Sequence, residues 1–307
     1  MKIGLALGSG AARGWSHVGV IKALVNQGIA PDIICGTSIG ALVGAAYCTN
    51  HLDKLEGWVC SLTRLETARF FELNSQLNGF INKERLESFL KKYVAAQSTK
   101  IENLNKTFAA VATELETGRE VWISKGPVLD GVWASISLPG LFPAIRYRDQ
   151  WLVDGGLVNP VPVSVCKALG ADLVIAVNLN GDLVGKHFRK NGDDNGSKSP
   201  AKNGENSTME RIADRVMDYT ASVFSNHSKS PEDSPGLLDA IAGSINIVQD
   251  RITKSRMAGD PPDIVLTPWL SEISLLEFYR AGEAIAEGEN CVERMMPEIN
   301  RVMGLRG

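Results

Sequence analysis

The chain has 307 residues, of which 44% are hydrophobic and 22% charged, with a formal net charge of −3. That supplies the core of one large α/β domain or two small ones. Near-neutral charge without a basic stripe gives no reason to expect a nucleic-acid partner, and the longest apolar run, Ile39 to Cys48, is too short to cross a bilayer.

Ile3 to Leu7 read as a strand. Gly8-Ser9-Gly10 and Arg13 interrupt the apolar stretch at once, so it is expected to be the first strand of a cytoplasmic protein rather than a leader. Gly8 to Gly14 form a glycine-rich turn, and Trp15 to Gln27 a helix with Trp15, Val18, Ile21 and Val25 on one face and Gly28 as its stop. Ile33 to Cys35 begin a second strand, which runs into Gly36-Thr37-Ser38-Ile39-Gly40 and then a helix of small residues, Ala41 to Tyr47. Asn82 is expected to cap an amphipathic helix whose stripe is Leu86, Phe89, Leu90, Tyr93 and Val94.

Phe108 to Thr113 and Glu120 to Ile123 read as strands, followed by a Pro/Ser-rich stretch from Ser135 to Pro143. A hairpin from Ala144 to Val153, turning near Asp149-Gln150, delivers Asp154-Gly155-Gly156. Val161 to Leu169 suggest a helix and Asp172 to Asn178 a buried strand. Alternation of this kind predicts a mainly parallel sheet covered on both faces.

Residues 189–208 hold one apolar residue, Ala201, and are expected to be a flexible loop. Beyond it lie three helical stretches and a strand at Ile264 to Thr267. In the helix at 237–257, Leu238, Ile241, Ile245, Val248 and Ile252 form a stripe expected to face the core, with a dimer seam or a membrane contact as the other readings. The five cysteines (Cys35, Cys48, Cys60, Cys166 and Cys291) are scattered and lack Cys-x-x-Cys spacing. They are expected to be buried free thiols, neither a disulfide framework nor a zinc site.

A Gly-x-Ser-x-Gly between a strand and a helix is a nucleophile elbow: the turn strains the serine, exposes its hydroxyl and aims a helix N-terminus at an oxyanion. Ser38 is the candidate nucleophile, with Gly36 and Gly40 needed where strand and helix cross closely. Such a serine needs a base. None of the four histidines suits a triad. His51 follows the elbow too closely, His187 and His227 flank the polar loop, and His17 precedes the serine on the first helix, so all four are expected at surface or satisfied helix positions. Asp154, held at a strand end before two glycines, is the candidate carboxylate base. Gly8 to Gly14 almost make a dinucleotide fingerprint, but Arg13 stands where the third glycine belongs and no ribose-binding acid ends the second strand. A loop of free N–H groups at a helix N-terminus serves an oxyanion equally well.

These three elements in this order resemble the patatin-like phospholipase family, whose pattern is a glycine-rich oxyanion loop ending in Arg/Lys-Gly, a Gly-x-Ser-x-Gly elbow and Asp-Gly-Gly/Ala. Gly8-Ser9-Gly10-Ala11-Ala12-Arg13-Gly14, Gly36–Gly40 and Asp154-Gly155-Gly156 match in turn, and the opening is similar to the small bacterial neuropathy-target-esterase-like branch. The resemblance implies a three-layer α/β/α fold with a core over residues 3–178, and residues 179–307 as a mostly helical extension packed on the same domain. It further implies a Ser38–Asp154 dyad without histidine, metal or organic cofactor. Backbone N–H groups near Gly10 to Ala12 would hold the oxyanion, with Arg13 orienting the loop. Ser9 and Ala11 depart from the glycines common at those positions, and a Cβ at a residue with φ above zero costs about 1–2 kcal/mol.

The expected activity is that of a serine esterase or lipid acyl hydrolase acting on phospholipid or lysophospholipid esters. Trp133, Leu138, Leu141 and Phe142 are candidates for the acyl site, and peripheral membrane contact follows from the substrate class. The alternatives are a regulatory or scaffold protein that keeps the dyad but acts through a partner or a homo-oligomer, supported by the 237–257 helix and the 189–208 loop, and an acyltransferase.

Overall fold

Every residue of β1 (Ile3–Leu7) is buried, because the strand lies inside the sheet with a parallel neighbour on each side, β2 (Ile33–Thr37) and β7 (Leu173–Val177). Strands covered on both faces read as continuous apolar runs, and these three do. A computed structural model of the chain describes residues 1–70, 83–139, 141–182 and 237–304.

The sheet has the order β5-β6-β3-β2-β1-β7-β8, with β4 also paired to β3. β3 (Thr107–Glu114) runs parallel to β2, and β8 (Ile264–Leu266) parallel to β7. Beyond this parallel centre, β4 (Glu120–Ile123) and β6 (Gln150–Asp154) lie antiparallel to β3, and β5 (Ile145–Tyr147) makes a hairpin with β6. The hairpin turns at Arg148-Asp149, with Arg148 at φ 52°.

Alternate side chains serve two cores. Leu5, Leu7, Ile34, Ile175 and Val177 face the larger one with α1 (Ser16–Asn26), α2 (Ile39–Cys48), α3 (Leu52–Ser61), α5 (Lys83–Tyr93), α6 (Val128–Ile136) and α9 (Ala281–Met303). Ala6, Ile33, Cys35, Val174 and Ala176 face a smaller core under α7 (Val163–Ala168). The result is the expected three-layer α/β/α arrangement with a mainly parallel sheet. α4 (Arg64–Phe70) and α8 (Leu237–Gly259) complete the helices among the described residues. None of them is long and apolar enough to cross a membrane.

Several expectations change. The glycine turn is partly helical, since Ala11–Trp15 form a 3-10 turn ahead of α1. Val25 points outward and Leu24 takes the core position, because α1 docks on α9 as well as on the sheet and its buried arc shifts. Ser135 and Ile136 are the last turn of α6 rather than loop. Cys60 is exposed, whereas the other four thiols are buried and free.

The largest correction concerns α8. Val248 is 49% exposed, Ile245 and Ile252 are only half-buried, and the inward side chains are Gln249, Asp250 and Thr253. The apolar stripe therefore does not face the core, because the surface beneath that helix is polar. The side chains of Leu238 and Ile241, the Asn82 cap, His187, His227 and the 189–208 loop lie outside the described residues.

Candidate active site

Three loops leave the carboxyl ends of β1, β2 and β6 and meet at one edge of the sheet, where open α/β sheets form their crevices. β2 delivers Ser38, which has φ 56° and ψ −125°. A non-glycine residue holds that conformation only when its surroundings impose it. Here they do. A Cβ on Gly40 would stand 2.2 Å from the Leu7 carbonyl oxygen, and one on Gly36 would stand 2.4 Å from Ala41 Cα, so strand and helix close the elbow backbone to backbone. The Ser38 N–H donates to Ser135 Oγ at 2.8 Å, and that hydroxyl donates to the Val111 carbonyl at 2.6 Å. Ser135 thus ties the strained turn to β3. Thr37 Oγ1 adds a bond to the Asn159 carbonyl at 2.8 Å.

β6 delivers Asp154. Ser38 Oγ donates to its Oδ2 at 2.5 Å, and the Gly156 N–H donates to its Oδ1 at 2.7 Å. Thr113 Oγ1 donates to the Asp154 carbonyl, and the Asp154 N–H donates to Ser137 O, so the backbone is pinned on both sides. The carboxyl group is 1% exposed. Burial raises its pKa from 3.8 to about 6, against the lowering effect of the bonds from Ser38 and Gly156.

β1 delivers the loop Gly8 to Gly14. The N–H groups of Gly8, Ser9 and Ala12 are spent on the carbonyls of Val177, Pro160 and Leu275. Those of Gly10 and Ala11 have no acceptor among the described residues. Ala11 has φ 48°, the conformation for which an alanine is costly. Ser9 does not. Arg13 is buried, with Nη2 on Asn246 Oδ1 at 2.8 Å and Nε on the Gly10 carbonyl at 3.4 Å, and burial pulls its pKa down to about 9. His17 is buried too, rather than at the surface. Its Nε2 meets the Gly8 carbonyl at 2.7 Å while Nδ1 lacks a partner, so only half of its polar capacity is satisfied. Burial lowers its pKa to about 4, leaving a neutral ring whose Nε2–H holds the start of the loop.

Ser38 opens into an apolar cleft. Leu138, Leu141 and Phe142 line it as expected, but Trp133 does not. Trp15, Leu42, Trp58, Leu86, Phe89 and Phe278 complete the walls, drawn from elements far apart in the chain. Trp58 stacks on Tyr93 and tilts against Phe89, which joins α3 to α5 behind the cleft. Sequence reasoning missed these residues because at helical spacing they look like ordinary core. It missed Ser135, Gln249 and Asn246 because one serine or amide on a helix carries no signal of its own. Among the described residues no group of three or more His, Cys, Asp or Glu is arranged to hold a metal ion.

The family model of patatin-like phospholipases matches residues 5–167, which include all three loops. An uncharacterised NTE family protein of Mycobacterium bovis is 29% identical over 336 residues, covering 94% of this chain and 89% of that one. The lysophospholipase nte1 of Aspergillus fumigatus is 36% identical over 186 residues, 58% of this chain but 12% of that much longer protein. A crystal structure of VipD from Legionella pneumophila aligns with a TM-score of 0.48 at 11% identity, over 97% of this chain and 66% of that one. The chain belongs to the patatin-like phospholipase family.

Proposed function

We propose that the protein is a lipid acyl hydrolase in which Ser38 and Asp154 work as a dyad through an acyl-enzyme. The observation that carries this reading is the 2.5 Å bond from a strained serine hydroxyl to a buried carboxylate, at the mouth of an apolar cleft. A carboxylate whose pKa is lifted to about 6 is a better base than an ordinary aspartate and is still ionised at neutral pH. Asp154 takes the Ser38 proton as Oγ attacks the ester carbonyl, then gives it to the departing alcohol. In the second half it takes a proton from water, which attacks the acyl-serine, and returns that proton to Ser38.

The developing oxyanion is held by the N–H groups of Gly10 and Ala11, narrowing the expected donor set by Ala12, whose N–H is already bonded to Leu275. The cleft walls favour an aliphatic acyl chain over a polar acyl group. Similarity to the lysophospholipase nte1 of Aspergillus fumigatus supports a lysophospholipid ester as substrate. Residues 179–307 are proposed to be part of the same catalytic domain, since β8 and α9 complete its sheet and its main core.

The test is labelling with a fluorophosphonate probe, alongside hydrolysis of a lysophospholipid. Wild type should react and turn over, while Ser38→Ala should do neither and Asp154→Asn should lose turnover by about 10³-fold or more. A well-folded wild type that stays unlabelled at every pH refutes the reading.

A further inference from the structure

The inward face of α8 is polar where a core-facing helix would be apolar, and its polar atoms point at the loop and turn that surround the dyad. Gln249 Oε1 accepts two hydrogen bonds, from Ser9 Oγ at 3.0 Å and from Asn180 Nδ2 at 3.0 Å. One turn earlier, Asn246 Oδ1 accepts from the buried Arg13 guanidinium, which has no carboxylate partner among the described residues. On the Asp154 side, a Cβ built on Gly156 would lie 2.5 Å from Gln249 Nε2, 3.0 Å from Asp154 Oδ1 and 3.2 Å from Ser9 Oγ. Three polar groups from three separate parts of the chain converge on a space that only glycine leaves open.

Resting on the Ser–Asp reading above, we propose that Gln249 is a positioning residue for the reaction, holding the Ser9 hydroxyl and through it the Gly8–Ala12 loop over Ser38. The argument is one of mechanical freedom. A loop that must present two free N–H groups cannot use them to anchor itself, so its rigidity has to come from other atoms. Its flanking N–H groups are tied to Val177, Pro160 and Leu275, and among the described residues its side-chain tie besides Arg13 and His17 is Ser9 to Gln249. Ser9 thus serves as the loop's handle at a position where glycine would have none. Gln249 is 5% exposed and is not among the residues that line the cleft, so its effect on the reaction runs through the groups it holds, Ser9 first among them. This support comes from outside residues 5–167, the stretch that the family model matches.

The experiment measures kcat and KM for a soluble short-chain ester, and the rate of phosphonate labelling, in Ser9→Ala, Gln249→Leu, the double variant and the Ser38→Ala control. Gln249→Leu should lower kcat and the labelling rate by about 10- to 100-fold, with KM within about twofold, because the oxyanion donors act chiefly in the transition state. Ser9→Ala should give a similar loss, and the double variant should be no worse than the poorer single one, because both remove the same bond. Losses that multiply would show that Gln249 does not act through Ser9. An unchanged kcat in Gln249→Leu, with only a lower melting temperature, would make it a packing residue and overturn the inference. If Gln249→Leu does not fold, an unchanged kcat in Ser9→Ala overturns it. If wild type is as inert as Ser38→Ala, the Ser–Asp reading falls and takes this inference with it.

Discussion

Asp154 meets two opposing demands, burial that favours its neutral form and the proposed role of base, which needs its charge. With the carboxylate required for turnover, kcat/KM should fall about tenfold per pH unit below an acid limb near pH 6, checked by a pH–rate profile on a neutral ester. The same shift sets a sign for stability. The folded-state pKa lies above the unfolded one, so the contribution is fully present below about pH 4 and is lost as pH rises through about 6. In Asp154→Asn the amide Oδ1 still accepts from Gly156 and Nδ2 donates to Ser38 Oγ, reversing that bond but removing the buried charge, so the variant should gain about 1–3 kcal/mol at pH 8, a rise of several degrees in Tm that disappears toward pH 4. Thermal melts at the two pH values check it. Ser135 offers a second test at this scale. Ser135→Ala removes the acceptor of the Ser38 N–H and a donor to the Val111 carbonyl, and should cost about 1–3 kcal/mol in denaturant unfolding while lowering kcat by about tenfold or more.

Among the elements, the contact of α1 with α9 matters most to the site, because α1 begins directly behind the oxyanion loop. The two helices touch backbone to backbone: a Cβ on Gly288 would stand 2.1 Å from the Ser16 carbonyl oxygen. Gly288→Ala must push α9 away from α1, with a destabilisation of about 1–3 kcal/mol despite alanine's better helix propensity, measurable by urea unfolding. α3 bears on specificity instead. Trp58 forms part of the cleft wall and is backed by the rings of Phe89 and Tyr93. Trp58→Ala should lengthen the cleft and move the optimum of a p-nitrophenyl ester series toward longer acyl chains. An unchanged chain-length profile would place the acyl chain along another wall.

For the whole molecule, the matched region 5–167 omits elements of both the sheet and the main core. β8 continues the parallel sheet beyond β7, and Ala284, Ile285 and Val292 of α9 close the core over α1. A fragment ending at residue 182 should therefore lack a cooperative thermal transition, because Val18, Ile21 and Leu24 would lose part of their cover. Sequence alone determined the fold class and picked out the elbow turn, the glycine-rich loop and the proposed dyad, since each rests on local backbone demands that particular residues meet: glycines where chains cross, a serine between strand and helix, an aspartate at a strand end. It could not determine which face of α8 turns inward, the cleft walls, the burial of His17 or the support from Ser135 and Gln249. Those depend on which surfaces meet across more than a hundred residues of chain, as Ser9 and Gln249 do at a separation of 240. An apolar stripe such as Ile245, Val248 and Ile252 states that a helix has two faces, and only the polar surface beneath α8 decided which one was buried.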